Sequence, residues 1–150
     1  HFVINPVYPQ WMYVVCELSS EVFVVDIAEK SPRIFQRIST LNTPDTESTC
    51  AAIKCSEDGR FVYASNRGDD SIAVYEIDKN TGLLNRIQIE KTGGKSPRDF
   101  LILEDMVLAA NQDSNNITRF YRDADTGKLS AEGECIECHA PVCLIAHPEE

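Results

Sequence analysis

Short apolar runs recur along the whole chain, and most of them are rich in aromatic and β-branched residues. Tight polar turns containing Gly, Asp, Asn or Ser separate one run from the next. Such runs, bounded by turn formers, are typical of β-strands, and no segment keeps a helical period beyond two turns. The clearest examples are residues 11–15, 22–27, 61–64, 72–77 and 106–110. The pattern therefore predicts an all-β protein.

The stretch Ser65-Asn66-Arg67-Gly68-Asp69-Asp70-Ser71-Ile72 reads as a β-hairpin tip between two such runs. It returns as Ala110-Asn111-Gln112-Asp113-Ser114-Asn115-Asn116-Ile117, so that Ile117 stands 45 positions after Ile72. A looser copy begins at Cys16 and places Val22 50 positions before Ile72. A period near 45 residues that is made of strands is typical of propeller blades.

The middle repeat gives the template for one blade of four antiparallel strands. Its strands are predicted at residues 51–55, 60–65, 71–77 and 83–89, with Asp58-Gly59 and Asn80-Thr81-Gly82 in the turns. The blades are predicted at roughly 1–46, 47–92 and 93–139, with the start of a further blade at 140–150. Because propellers need at least four blades to close, we expect a fragment of a larger propeller or a ring of several copies.

Strand direction sorts the polar residues between the two ends of the blades. Since successive strands of a blade run in opposite directions, the turns between second and third strands share one end with the starts of the first strands. Plain turn formers fill the opposite end. The residue types that bind or catalyse are expected together at the first end, namely His1, Glu17, Asn66, Arg67, Lys95, Arg98, Asp99, Asn111, Gln112 and Asp113.

Several motifs in the same order resemble the lactonase family of seven-bladed β-propellers. They are Glu17-Leu18-Ser19-Ser20, Asp58-Gly59-Arg60-Phe61-Val62-Tyr63, the Ser65–Ile72 stretch, Gly93-Gly94-Lys95-Ser96-Pro97-Arg98-Asp99-Phe100 and Ala110-Asn111-Gln112-Asp113-Ser114. This family contains bacterial 6-phosphogluconolactonase and is similar to the fungal carboxy-muconate cyclase. The resemblance spans essentially the whole chain and corresponds to the C-terminal portion of the family. It implies that about four blades, and with them part of the cleft, lie outside this sequence.

The resemblance implies hydrolysis of a sugar lactone, most simply 6-phosphogluconolactone of the pentose phosphate pathway. Such a reaction needs an activated water and a positive group for the developing oxyanion. We predict His1 or Glu17 as the base and Arg67 and Arg98 as the cationic groups. Predicted substrate-binding residues are Asn66, Lys95, Asp99, Asn111 and Gln112. Structural roles stay open: Arg67 can pair with Asp69 or Asp70, and Asp99 can fix the loop of Arg98.

Composition and charge limit the classes of molecule that the chain is expected to bind. The chain of 150 residues carries 14 basic and 24 acidic residues, a formal net charge of −10. This balance argues against nucleic acid, which needs a basic face, so an anionic substrate needs a locally basic site. No apolar run approaches the length of a membrane helix, and no leader of the signal-peptide type is recognised. We expect no membrane contact and a cytoplasmic location.

Six cysteines are present, and we interpret Cys16, Cys50 and Cys55 as small buried hydrophobes rather than disulfide partners. The segment Cys135-Ile136-Glu137-Cys138-His139 matches the covalent haem-attachment pattern. It falls on the outer strand of a blade, where haem has no pocket, so we expect neither haem nor a metal there. The predicted reaction needs no cofactor.

Two other functions stay open at this stage. The first is a non-enzymatic propeller scaffold that binds a ligand or protein on the end where the polar residues meet, because fold alone does not decide function. The second is a cyclase or isomerase that acts on a carboxylated lactone. Clustering of His1, Glu17, Arg67 and Arg98 in one pocket favours an enzyme, whereas scattering around the rim favours the scaffold.

Overall fold

The computed structural model describes residues 1–43 and 45–146. These residues form three four-stranded sheets, each an antiparallel meander in chain order. The first blade contains β1 (Phe2–Ile4), β2 (Trp11–Cys16), β3 (Glu21–Asp26) and β4 (Arg33–Ser39). The second contains β5 (Thr49–Cys55), β6 (Phe61–Arg67), β7 (Ser71–Ile77) and β8 (Leu84–Lys91). The third contains β9 (Pro97–Ile102), β10 (Met106–Asn111), β11 (Asn116–Arg122) and β12 (Leu129–Glu137).

The all-β fold with four-stranded antiparallel blades is confirmed, and a single turn of 3₁₀ helix at Gln112–Ser114 is the helical element in the described residues. Predicted strands lie within a few residues of the observed ones. One shift changes the reading of the hairpin tip in the second blade, where β6 continues through Arg67 and pairs with Thr49 of β5. Only Gly68, Asp69 and Asp70 are left to the turn between β6 and β7. Arg67 is therefore held by a strand rather than by a loop.

Alternation along β6 builds two cores instead of one. Val62 and Ala64 belong to a cluster shared with the first blade, where they lie with Tyr13 and Val24. Phe61 and Tyr63 point the other way, into a cluster shared with the third blade. Because successive side chains of a strand point to opposite faces, the central blade is buried on both sides. This explains why its strands read as almost continuous apolar runs.

The same contacts join the blades at both interfaces. The Tyr13 hydroxyl donates to the Gly82 carbonyl at 3.3 Å, and the Tyr63 hydroxyl donates to the Gly127 carbonyl at 2.8 Å. The side-chain amide of Gln36 bonds both backbone groups of Leu84, at 2.8 and 2.7 Å. The equivalent amide of the second blade, on Gln88, bonds both backbone groups of Leu129 at 2.8 Å. The sequence repeat thus encodes a repeated interface.

The first strands of the three sheets, β1, β5 and β9, lie side by side. We define the upper rim as the end that carries the turns β2–β3, β6–β7 and β10–β11, and the lower rim as the opposite end. Residues 141–146 follow β12, form no strand and return towards β9, where the Leu144 amide donates to Asp99 at 2.8 Å. The further blade expected at 140–150 stays a prediction, and residues 147–150 lie outside the described residues.

Candidate functional site

A cavity of about 540 Å³ opens at the upper rim. Its walls come from the start of β1, the ends of β2 and β6, the inner strands β5 and β9, and residues 142–145. All four residues predicted to be catalytic lie in these walls, namely His1, Glu17, Arg67 and Arg98. Of the residues predicted to bind substrate, Asp99 lies there too. Strand reversal therefore brings together side chains that are far apart in the sequence.

Arg67 and Glu17 form an ion pair across the seam between the first two blades. Arg67 Nη2 donates to Glu17 Oε1 at 2.5 Å and to the Cys50 carbonyl at 3.2 Å. The guanidinium is thus fixed from two sides, and one oxygen of the Glu17 carboxylate is fixed with it. Arg67 does not pair with Asp69, whose carboxylate instead takes Lys91 at 2.9 Å. Among the described residues, Arg67 Nε is buried without a hydrogen-bond partner.

Arg98 is exposed at the mouth of the cavity. Its Nη1 donates a long bond of 3.4 Å to Gln112 Oε1. Within the described part of the chain no carboxylate lies within ion-pair distance of this guanidinium, whereas Arg67 has Glu17. Arg98 is therefore the arginine of the cavity whose charge is left for a ligand.

His1 is exposed on the cavity wall, and 3.3 Å separates its Nδ1 from the Ala51 carbonyl oxygen. A carbonyl oxygen can only accept, so Nδ1 is the donor in this contact. In a neutral imidazole, that tautomer leaves the lone pair on Nε2. In this tautomer, Nε2 of His1 can accept a proton.

Lys54 is a cavity residue that sequence reasoning missed. It lies next to the last residue of inner strand β5, and its Nζ is 3.0 Å from Asp99 Oδ1. The other carboxylate oxygen of Asp99 accepts the Leu144 amide at 2.8 Å. The signal that could have found Lys54 is its position, because a charged residue between Ile53 and Cys55 interrupts an otherwise apolar inner strand.

Asn66 and Asn111 were predicted to bind substrate, but the structure places both in the blade interfaces, outside the cavity walls. Both are fully buried. Asn66 Nδ2 donates to the Thr40 carbonyl at 3.0 Å and to Ser71 Oγ at 3.1 Å. Asn111 Nδ2 donates to Thr118 Oγ1 at 3.0 Å, and that hydroxyl donates to the Thr92 carbonyl at 2.6 Å. These amides join neighbouring blades.

Lys95 and Gln112 were also predicted to bind substrate, and neither lies in the cavity walls. Lys95 is exposed in the loop before β9, and its backbone amide donates to Ser114 Oγ at 2.7 Å. Gln112 reaches the cavity only through its bond to Arg98. Asp113 accepts from Ser96 Oγ at 2.5 Å and closes the same loop. These residues shape the rim beside the cavity.

Cys50 supplies no activated nucleophile at this site. Cys50 lies in the cavity wall, but burial raises the pKa of its thiol despite hydrogen bonds from Thr40 and Ser20. Since the thiolate is the reactive form, Cys50 is a structural group. All six cysteines are free thiols. Over residues 1–43 and 45–146, no three His, Cys, Asp or Glu side chains are grouped to hold a metal ion.

The charges of the cavity differ in sign from those of the chain. Lys54, Arg67 and Arg98 stand against Glu17 and Asp99 among the described wall residues, an excess of one positive charge before His1 is counted. The whole chain has a formal net charge of −10. The cavity is therefore a local site for a negatively charged group.

A family model described as "Lactonase, 7-bladed beta-propeller" matches residues 1–146. The chain is 36% identical to a 6-phosphogluconolactonase of Bacillus subtilis over 140 residues, which are 90% of this chain and 40% of that protein. It is 38% identical to a 6-phosphogluconolactonase of Formosa agariphila over 133 residues, 86% of this chain and 37% of that protein. The chain thus spans about two fifths of the length of these curated relatives.

Solved structures agree with this match. The periplasmic gluconolactonase PpgL of Pseudomonas aeruginosa superposes with a TM-score of 0.87 at 27% sequence identity. The superposition covers 94% of this chain and 40% of that one. No helix in the described residues has the length and apolar character to cross a membrane.

Proposed function

The chain belongs to the lactonase family of seven-bladed β-propellers, and on this premise we propose that it carries a lactone-hydrolysing site at its upper rim. The substrate class we propose is a phosphorylated sugar lactone, with 6-phosphogluconolactone converted to 6-phosphogluconate. The names of the Bacillus subtilis and Formosa agariphila relatives support this choice. The reaction would belong to the pentose phosphate pathway.

One observation carries the proposal. A single cavity gathers four side chains, with His1 just before β1, Glu17 just after β2, Arg67 at the end of β6 and Arg98 in β9. Lactone hydrolysis needs a base for water and a cation for the oxyanion, and this set contains two candidates for each. Clustering is the arrangement that favours an enzyme over a scaffold whose polar residues are spread around a rim.

The reaction proceeds by addition and elimination at the lactone carbonyl. A base takes one proton from a water molecule while the water oxygen bonds to the carbonyl carbon. The carbonyl oxygen then carries a negative charge. The ring C–O bond then breaks, the ring oxygen receives a proton, and the product is a hydroxy acid. Stabilisation of the negative oxygen in the transition state is the largest contribution that side chains make to such reactions.

The geometry divides these roles among four side chains. Arg98 has no carboxylate partner in the described residues and is suited to bind the negative oxygen. Arg67 fixes Glu17, so that one carboxylate oxygen is held at the wall and the other is available to water. His1 offers Nε2 as the alternative base. Glu17 and His1 both stay candidates for proton removal.

The remaining blades are the expected partners of this chain. The relatives are about two and a half times as long as the region they share with it, and a seven-bladed cleft is lined by every blade. We propose that further blades, in a parent chain or in associated copies, complete the cavity. We also propose a cytoplasmic location, which six free thiols support because disulfides are rare in that compartment.

The experiment is a hydrolysis assay with 6-phosphogluconolactone, corrected for spontaneous opening. It is run on the 150-residue chain and on a chimera in which the Bacillus subtilis relative supplies the blades outside the matched region. We expect Arg67→Ala to lower kcat/KM about 10²-fold, because it releases the Glu17 carboxylate that Arg67 holds as a candidate base.

The matched control is Arg60→Ala, which removes a half-exposed arginine at the lower rim. Its kcat/KM is expected to stay within about twofold of the unmodified protein, because surface changes away from a site have small effects. An unchanged rate for Arg67→Ala would remove Arg67 from the mechanism. Absence of hydrolysis in both proteins would contradict the proposed function.

A further inference from the structure

Lys54 has no part in the mechanism above, although it lies at the lower end of the cavity, which we call its floor. It is in the wall of the upper cavity and also in the wall of a second cavity of about 600 Å³ beneath it. Its ion pair with Asp99, together with the Asp99 bond to the Leu144 amide, lies where the two cavities meet. A ligand that enters from the upper rim therefore meets the Lys54 ammonium at the floor.

The ammonium has bonding capacity left over. A lysine carries three N–H donors, and Asp99 is the ion-pair partner that the described residues provide. The ring of Phe100 lies 5.6 Å from Nζ and occupies one further side. The Lys54 side chain remains 27% exposed, compared with 12% for Asp99. At least one donor can therefore reach a ligand without breaking the pair.

Charge balance shows what Lys54 adds. With it, the described walls hold three cations and two carboxylates; without it, the charges cancel. A buried ion pair is weak evidence for stability, because apolar residues of similar volume often serve as well. A neutral lactone needs one cation at its carbonyl, which Arg98 can provide. The additional cation at the floor is suited to an anionic substituent at the far end of the substrate.

Resting on the proposed function, we propose that Lys54 selects phosphorylated over unphosphorylated lactones by donating directly to the phosphate. Asp99 is its positioning residue, because it holds Nζ at the floor and ties it to residues 142–145. The substrate then lies with its phosphate at the floor and its carbonyl near Arg98 at the mouth.

Binding to the unmodified chain tests this without any turnover. The dissociation constant is measured by calorimetry for 6-phosphogluconate, for gluconate and for inorganic phosphate. We expect 6-phosphogluconate to bind most tightly, because it carries both the phosphate and the sugar-acid chain. Lys54→Met should raise the dissociation constant for 6-phosphogluconate about tenfold or more, as for a lost hydrogen bond to a charged group. The same variant should raise the dissociation constant for gluconate much less.

Three further variants separate direct contact from other effects. Lys54→Arg keeps a donor and should retain most of the affinity. The double variant Lys54→Met, Asp99→Asn restores the excess positive charge and avoids an unpaired buried carboxylate, yet it should stay weak if Lys54 touches the phosphate. Lys128→Met removes an exposed lysine at the lower rim and should bind like the unmodified chain, which controls for total charge.

Several results would overturn the assignment of Lys54. They are no binding of 6-phosphogluconate by the unmodified chain, equal affinity for inorganic phosphate, an unchanged constant in Lys54→Met, and recovery of full affinity in the double variant. Hydrolysis measured on the same samples separates the two proposals. Binding that depends on Lys54, with no hydrolysis in either the chain or the chimera, would contradict lactone hydrolysis alone. Hydrolysis with binding independent of Lys54 would contradict this inference alone.

Discussion

The carboxylates of the upper-rim cavity and those of two lower-rim turns make different contacts. At the upper rim, Glu17 and Asp99 face cations across a cavity, at 2.5 Å from Arg67 and 3.0 Å from Lys54. At the lower rim, Asp78 and Asp123 accept backbone amides of their own turns. Asp78 Oδ1 is bonded at 2.8 and 3.0 Å, and Asp123 Oδ1 at 2.9 Å twice.

The two kinds of contact separate the residues that stabilise the fold from those that can bind a ligand. A carboxylate that closes its own turn has satisfied local donors and is not available to a ligand. A carboxylate that pairs across a seam holds a cation in place at a surface that a ligand can reach. We therefore expect lower-rim substitutions to change the free energy of unfolding, and upper-rim substitutions to change binding and rate.

Gly127 at the lower rim should give the largest effect on stability. A Cβ added there would lie 2.3 Å from Phe61, while one added at Gly133 would meet nothing within 4 Å. Both glycines have positive φ, +70° and +76°, so both alanine variants carry the same backbone strain. We expect Gly127→Ala to lower the free energy of unfolding by about 3 kcal/mol, and Gly133→Ala by about 1 kcal/mol.

Urea denaturation followed by tryptophan fluorescence measures the difference, since Trp11 lies in the core shared by the first two blades. Equal losses in the two variants would show that backbone strain, rather than the packing of the Gly127 turn against Phe61, decides the cost. That result would contradict the repeated blade interface as the source of stability.

The lower-rim carboxyls should give a smaller effect, one that depends on pH. Backbone amides, from Asn80 first for Asp78 and from Thr126 first for Asp123, lower the pKa of both carboxyls below the ordinary 3.8. Because the unfolded chain binds these protons at higher pH than the folded chain, their stabilisation is full above the ordinary pKa. It is lost as the pH falls through the folded-state pKa.

The test compares the unmodified chain with the double variant Asp78→Asn, Asp123→Asn between about pH 5 and pH 2. An asparagine oxygen still accepts the turn amides but lacks the negative charge, so the variant should be less stable near pH 7 by about the amount that the unmodified chain loses through these two carboxyls on acidification. The decline in stability on acidification should be shallower in the variant. Parallel declines would show that these two turns do not contribute to acid sensitivity.

The fold could be predicted because its signals are local and repeated. Alternating apolar residues and Asp-Gly or Thr-Gly turns recur with the blade period, and each repeat specifies the same four strands. The small errors fall where tertiary pairing extends a strand. Arg67 reads as part of a polar tip, yet pairing with Thr49 draws it into β6. Sequence reasoning on one repeat cannot include the partner strand.

The site could be predicted only in part, because side-chain type does not reveal direction. Asn66 and Asn111 are amides of the kind that bind sugars, but alternation in β6 and β10 turns them into the seams between blades. Lys54 was missed because it lies in a strand and not at a tip. Its role depends on Asp99, which is 45 positions away in the next blade.

Hydrolysis of lactones in the upper-rim cavity can be tested with one matched pair of variants. Glu17→Gln and Asp78→Asn each replace a carboxylate by an amide, one in the cavity and one in a lower-rim turn. The measurement is kcat/KM for 6-phosphogluconolactone in the chimera. We expect kcat/KM to fall about 10²-fold in Glu17→Gln, as for loss of a general base. In Asp78→Asn we expect it to stay within about twofold of the unmodified protein. Equal rates in the two variants would exclude Glu17 as the base, and an equally unchanged rate in His1→Asn would contradict hydrolysis in this cavity.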